Sequence, residues 1–402
     1  MEEFTMKKEF ASRVSLTSKS GLNAIYPSQD PEMISFTGGF PDATLFPSKE
    51  LADSFQIAIS NQHSPLQYQV GEESIDLREK IASLLNNDGT VTNPELIMMT
   101  QGAQQGLDLV AKLVINKGDG LVVEGPTYIG ALAAFDAYEP NYYSVSMEND
   151  GMNLTELKRI LIEKSVKLIY TIPDFQNPTG VVMSLEKRKQ LIALANRYDV
   201  LILEDAPYRW LRYEGKSLPT LKSLDTQDRV IQLGSFSKIL APALRLGWLT
   251  ASGEIFSRLK ELKAGADLET SNLMIQTVNA YLSKYSLESH LTKLQKSYRI
   301  KKNAMMTAMR NYMPENISYT DPKGGFFTWI TAPQNYDLDN MQIMSFKPAF
   351  HVMVIPSTNL FPDKAHKNGA RVSFSSVSLS QIDSGIKRLG NCLSDSYQKQ
   401  SI

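Results

Sequence analysis

Lys238 stands in Ser235-Phe236-Ser237-Lys238, and Ala241-Pro242-Ala243-Leu244-Arg245-Leu246-Gly247 follows closely. A lysine flanked by hydroxyls, with an arginine shortly after it, can hold an aldehyde cofactor as an imine while its neighbours grip an attached phosphate. Taken alone, the tetrapeptide is more often an ordinary surface lysine, because short motifs recur by chance. Its weight comes from other segments of the chain.

Thr100-Gln101-Gly102-Ala103-Gln104-Gln105-Gly106 joins an expected strand to an expected helix, where small residues let backbone N–H groups and the helix dipole meet an anion. An ordinary strand-to-helix turn would look the same. Pro173-Asp174-Phe175-Gln176-Asn177-Pro178-Thr179-Gly180 has the composition of a rigid loop that can aim a side-chain amide at a ligand. Glu204-Asp205-Ala206-Pro207-Tyr208 closes the most hydrophobic run, where an acid is costly unless it meets a cation such as a protonated pyridine nitrogen. Capping of a following helix is the alternative use of Asp205. In Asn368-Gly369-Ala370-Arg371-Val372-Ser373-Phe374, an arginine among apolar and small residues suits bidentate capture of a carboxylate, or else a structural ion pair.

Hydrophobic patterning supplies the elements that must place these segments. Short apolar runs alternate with helical spacing through the middle of the chain, which predicts β/α units around a mostly parallel sheet. Strands are expected near residues 96–100, 121–124, 167–171, 200–203, 230–233 and 247–250, with amphipathic helices near 104–115, 154–163 and 185–197. Ligands bind at the carboxyl ends of strands in such sheets, which is where the first three segments and Lys238 fall. After residue 286 the pattern changes to a long polar helix carrying Tyr298, Arg299, Lys301 and Lys302. Shorter strands near 325–330, 351–355 and 371–374 and a last helix near 379–393 follow. The expected division is an arm over residues 1–48, rich in turn residues, a large α/β domain over 49–286 and a smaller α+β domain over 287–402.

Composition sets the outer bounds. The 402 residues carry 42 Lys and Arg against 43 Asp and Glu, so no general charge pulls the chain toward nucleic acid or a membrane surface. Cys392 is the single cysteine, and His63, His290, His351 and His366 are scattered, which excludes an intrachain disulfide and argues against a metal site. Met1-Glu2-Glu3-Phe4 has no apolar signal core, and no apolar run reaches about 18 residues. A cytoplasmic protein that does not cross a membrane is expected.

Together and in this order, the segments resemble the fold-type I pyridoxal-phosphate-dependent aminotransferases of class I/II. Within that family the chain looks most like the branch containing kynurenine and 2-aminoadipate aminotransferases. The likeness to that branch rests on Phe36-Thr37-Gly38-Gly39-Phe40-Pro41, Gln67-Tyr68 with Gly71, and Gly125-Pro126-Thr127-Tyr128. It runs from about Ser18 to the C-terminus. The resemblance implies an aspartate-aminotransferase-like fold in which Lys238 binds pyridoxal 5'-phosphate and later moves the proton, while Asp205 keeps the pyridine nitrogen protonated. Asn177 and Tyr208 would bond the phenolic oxygen, and Tyr128 would stack on the ring. The phosphate would be held by Gly102, Ala103, Gln104, Ser235, Ser237 and Arg245. Tyr68 would reach the phosphate of the neighbouring subunit, which makes a homodimer part of the site. Arg371 would bind the substrate α-carboxylate, with Gly39 and Asn177 beside it. The branch often carries Ser-x-Ile-Arg near its N-terminus, whereas Ser20-Gly21-Leu22-Asn23 stands here, which argues against a dicarboxylate-specific site. Lys19 is the neighbouring cation.

The implied reaction is a ping-pong transfer of an amino group from an L-amino acid to a 2-oxo acid, with 2-oxoglutarate the expected acceptor. A pyridoxal-phosphate C–S lyase could use the same residues, and would release ammonia without an oxo-acid acceptor. A pyridoxal-phosphate-sensing transcription factor would place a winged-helix domain ahead of this one, and the stretch before Gly38 is too short for it. A nicotinamide dehydrogenase is disfavoured because no Gly-x-Gly-x-x-Gly follows the first strand.

Overall fold

Strands that are apolar at consecutive positions need cover on both faces. The protein, here as a computed structural model, provides it. Residues 11, 13–14, 30–60, 65–68 and 75–400 are described. Ser18, Lys19, Ser20-Gly21-Leu22-Asn23, His63 and Gly71 lie outside the described residues.

After a short strand β1 (Ile34–Ser35), eight strands form one sheet: β2 (Ile97–Thr100), β3 (Gly120–Gly125), β4 (Asn141–Glu148), β5 (Gly151–Met152), β6 (Val166–Thr171), β7 (Leu201–Asp205), β8 (Val230–Ser235) and β9 (Gly247–Thr250). Their order is β2-β9-β8-β7-β6-β3-β4-β5. The pairs β4-β3, β3-β6, β6-β7 and β7-β8 are parallel, whereas β9 runs antiparallel to both β8 and β2. Thus β2, β3, β6, β7 and β8 all point their carboxyl ends to one edge of the sheet.

Alternate residues of each strand serve opposite faces. Leu121, Val123, Leu168, Tyr170, Leu203, Ile231 and Leu233 pack with Leu107, Val110, Phe135 and Leu259, from the helices Gly102–Val114, Ile129–Phe135 and Gly253–Asp267. Val122, Ile169, Ile202 and Val230 pack instead with Leu157, Ile160, Leu191 and Ile192, from Leu154–Glu163 and Leu185–Tyr198. Asn153 and Ser184 cap those two helices by accepting from Glu156 N and Lys187 N. The expectation missed β4, whose side chains are mostly exposed or half-buried and so lack an apolar run.

The later part of the chain forms an antiparallel sheet in the order β10-β11-β14-β13, from β10 (Ser318–Tyr319), β11 (Phe327–Thr331), β13 (Ile355–Pro356) and β14 (Gly369–Ser373). Helices Leu287–Tyr312 and Leu379–Gln400 pack on each other beside it. The early β1 pairs in parallel with β12 (Val352–Met353), and Ser373 N donates to Phe36 O at 2.9 Å. The segment Phe36 to Asp42 is thereby laid along the start of the site. Lys301 Nζ fastens its far end by donating to Asp42 Oδ2 at 2.5 Å and to Ser375 O at 2.8 Å. Among the described residues no helix is long and apolar enough to cross a membrane, and no cluster of His, Cys, Asp and Glu could hold a metal ion.

Candidate active site

Each strand that ends at the shared edge delivers one part of a pocket of about 260 Å³, and β14 supplies Arg371 from the other sheet. Of the residues singled out from sequence, Gly39, Ala103, Gln104, Tyr128, Asn177, Asp205, Tyr208, Ser235, Ser237, Lys238, Arg245 and Arg371 all line it. Gly102 lies against it through Arg245. Tyr68 does not enter this pocket: its side chain is exposed and its N–H donates to Gln67 Oε1.

One end of the pocket is built for an anion. The helix Gly102–Val114 starts after Gln101, with no side-chain cap from that residue and no acidic residue in its first turn, so the amides of its first turn remain available. Arg245 sits opposite, its Nη2 donating to Gln101 O at 3.2 Å. Gly102 has φ +71, which favours glycine, and a Cβ there would lie 2.8 Å from Arg245 Nη2 and push the guanidinium aside. Ser235 and Ser237 add hydroxyls 2.9 Å apart. The side chain of Gln104 is already engaged, donating to Gly130 O at 2.6 Å, which leaves its backbone N–H for an anion. Gly102→Ala should weaken cofactor binding by about tenfold or more, since the added Cβ displaces Arg245 and a charge-assisted hydrogen bond is worth about 1.5–3 kcal/mol. Titration of the apoprotein with the cofactor, followed by fluorescence, measures it, and unchanged affinity would separate Arg245 from the phosphate.

At the centre, Lys238 Nζ donates to Gly39 O at 2.9 Å. Burial, with Arg371 and Arg245 adding repulsion, pushes its pKa down to about 8 despite the pull of Asp205. Lys238 is thus closer to a neutral nucleophile than a solvated lysine at ~10.4. Asp205 ends β7, and no helix follows directly, so it is not a helix cap. Its Oδ2 accepts from Tyr170 Oη at 2.8 Å, while its buried Oδ1 has no partner. Burial pushes the Asp205 carboxyl up to about 6, against the lowering effects of Tyr170 and Lys238.

Arg371 is also buried, and among the described residues it makes no ion pair. Its Nη1 donates to Asn177 Oδ1 at 2.8 Å and its Nη2 to Thr37 O at 2.5 Å, while Nε has no partner. The guanidinium lies 4.5 Å from the centroid of the Phe327 ring. Burial pushes its pKa down to about 10, and the groups that oppose this are the phenols Tyr208 and Tyr128 rather than carboxylates. An unbalanced buried arginine of this kind calls for an anionic ligand.

Several supporting residues escaped the sequence reading. Glu124, buried at the end of β3, accepts from Thr171 Oγ1 at 2.5 Å and from Gln176 Nε2 at 3.0 Å. Gln176 also donates to Pro126 O and accepts from Thr179, so one amide ties the Tyr128 loop to the Asn177 loop. At the loop's base, Asp174 accepts from Arg188 at 2.7 Å and Arg209 at 2.8 Å. Burial alone would raise its pKa, but those guanidiniums hold the carboxyl below its ordinary value. An acid ending an apolar run, as in Glu204-Asp205, was the available signal for Glu124. Tyr170, Thr37 and Phe327 gave none.

The residues present fit pyridoxal phosphate. The orphaned Asp205 Oδ1 matches a ring N–H, the cradle at Gly102 matches the phosphate, and Lys238 can carry the aldehyde carbon. This combination at the carboxyl edge of a parallel sheet defines a pyridoxal-phosphate enzyme of the aspartate-aminotransferase-like fold. The chain belongs to the aminotransferase class I and II family, whose sequence model matches residues 32–389. It is 36% identical to aromatic-amino-acid aminotransferase 1 of Thermococcus litoralis, over 92% of this chain and 89% of that protein. Among solved structures, the kynurenine aminotransferase of Pyrococcus horikoshii superposes with a TM-score of 0.87 at 33% identity, covering 98% of this chain and 97% of that one. The α-aminoadipate aminotransferase of Thermus thermophilus, solved with N-(5'-phosphopyridoxyl)-L-leucine, gives 0.90 at 30% identity, covering 97% and 98%. The protein is a pyridoxal-phosphate-dependent aminotransferase near these branches.

Proposed function

We propose that the protein transfers the amino group of an L-amino acid to 2-oxoglutarate by a ping-pong mechanism, as a cytoplasmic homodimer. The observation that carries the substrate class is Arg371: a buried guanidinium without a carboxylate partner among the described residues, in the same pocket as Lys238. Its planar donor fork suits the α-carboxylate shared by amino acids and 2-oxo acids, so one anchor serves both halves of the reaction.

When bound, pyridoxal phosphate supplies a carbonyl that takes up the amino group and a ring that withdraws electrons from the substrate Cα. The chain's residues do the rest. Ser235, Ser237, Arg245 and the amides of Gly102, Ala103 and Gln104 bind the phosphate. Asp205 holds the proton on the ring nitrogen through Oδ1. Asn177, whose Oδ1 is taken by Arg371, would hold the phenolic oxygen through Nδ2, together with Tyr208 Oη. Tyr128 covers the ring face, its own ring lying so close to Gly130 that a Cβ there would clash. Lys238, with its amine free, would be the group placed to take a proton from the substrate Cα and to give it back. Exposed Tyr68 reaches the phosphate of the neighbouring subunit in this reading.

The test is a panel of aromatic, branched-chain and 2-aminoadipate-like donors against 2-oxoglutarate and pyruvate, read by cofactor absorbance. A donor should discharge the yellow colour and an oxo acid should restore it. Persistent colour with every donor, or ammonia released without an acceptor, would overturn transamination.

A further inference from the structure

We propose that Tyr170 is a positioning residue that fixes Asp205 for the ring nitrogen of the cofactor, engaging Oδ2 so that Oδ1 alone faces the pocket. The inference rests on Asp205 meeting that nitrogen.

The sheet register sets up the contact. Tyr170 on β6 pairs with Leu203 on β7, and Asp205 lies two residues further along, on the same face of the sheet. The Tyr170 hydroxyl therefore comes within 2.8 Å of Asp205 Oδ2 from the adjacent strand. Its ring cannot turn away: Tyr170 is fully buried, and Phe135 meets it in a T-shaped contact at 5.4 Å and 76°. Burial, together with the charge of Asp205, holds the phenol's pKa well above its ordinary value, so Tyr170 remains a donor throughout the neutral range.

A carboxylate accepts at both oxygens, and a buried one with neither engaged would become protonated instead. One fixed donor at Oδ2 leaves one acceptor for one incoming N–H. The other groups acting on this site are Lys238, which favours the charged form of Asp205, and Glu124, Tyr128 and Tyr208, whose own ionisation Asp205 opposes. Lys238 would no longer be a free ammonium beside Asp205 once it carried the cofactor. Tyr170 is the side-chain hydrogen-bond donor to Asp205 among the described residues.

Asp205 attracts a ring N–H while ionised, so cofactor affinity falls as pH drops through the Asp205 pKa. Loss of the Tyr170 donor raises that pKa and moves the fall to higher pH.

The experiment titrates wild-type and Tyr170→Phe apoprotein with pyridoxal phosphate between pH 5 and 9, by fluorescence. A parallel series uses an analogue whose ring nitrogen is replaced by C–H. The acid limb for pyridoxal phosphate should rise by about one pH unit or more in the variant, with the analogue bound equally by both proteins. An unmoved limb, or equal weakening of cofactor and analogue, would show that the ring merely fills space. Should that variant fail to fold, replacement of Tyr170 by 3-fluorotyrosine keeps the ring with a stronger donor. It should lower the limb, and an unmoved limb there overturns the proposal equally. Asp205→Asn separates the two layers of the reading: it should weaken the cofactor and spare the analogue. If it weakens neither, Asp205 does not meet the nitrogen, whereas a silent Tyr170→Phe beside a damaging Asp205→Asn removes only Tyr170.

Discussion

Lys238→Ala is expected to lower kcat by about 10⁴-fold, the upper range for a positioned general acid–base group, and to abolish covalent attachment of the cofactor. Phosphate and ring contacts come from other residues, so the variant should still bind pyridoxal phosphate reversibly. Turnover at an ordinary rate would exclude Lys238 from the chemistry. The wild-type protein carries a matching pH signature. Attachment requires the neutral amine, and burial with Arg371 and Arg245 places the Lys238 pKa at about 8. The rate of cofactor attachment to the apoprotein should rise about tenfold per pH unit below that value and level off above it. A rate still rising toward the ordinary lysine value would show that the amine is solvated.

Arg371→Ala should reduce kcat/KM for every amino donor by about 10²- to 10⁴-fold, mainly through KM. Two charge-assisted hydrogen bonds to the α-carboxylate are worth about 1.5–3 kcal/mol each. The same substitution strips a donor from Asn177 Oδ1 and from Thr37 O, so part of the loss will fall on the position of Asn177. It also removes one of the two arginines that depress Lys238, so the plateau of the attachment rate should shift to higher pH. An unchanged KM would remove Arg371 from the carboxylate role. An unchanged plateau would show that burial alone sets the lysine.

The local sequence was enough for the strand-loop units and their chemical tips. Consecutive apolar residues marked β6, β7 and β8, because strands covered on both faces have no polar side to hide. Strand β4, next to the sheet edge, was missed for the converse reason, since most of its residues are exposed or half-buried. The tips Gly102, Asn177, Asp205, Lys238 and Arg371 were legible because each is a polar or glycine residue where an apolar run begins or ends. Tyr170 was illegible because its ring behaves as core and only its hydroxyl does otherwise.

The sequence by itself determined which groups are available: one imine-forming lysine between hydroxyls, one acid ending an apolar strand, and one arginine starting another. Residue type and spacing carry that information, since propensity and periodicity act over short distances. Tertiary structure decided what each group is. Burial lowered the lysine, raised the acid and lowered Arg371, and all three depend on neighbours distant in the chain. Arg371 meets Asn177 across 194 positions and Lys238 meets Gly39 across 199. The Asp205 oxygen left open by Tyr170 exists only because β6 and β7 pair in one register.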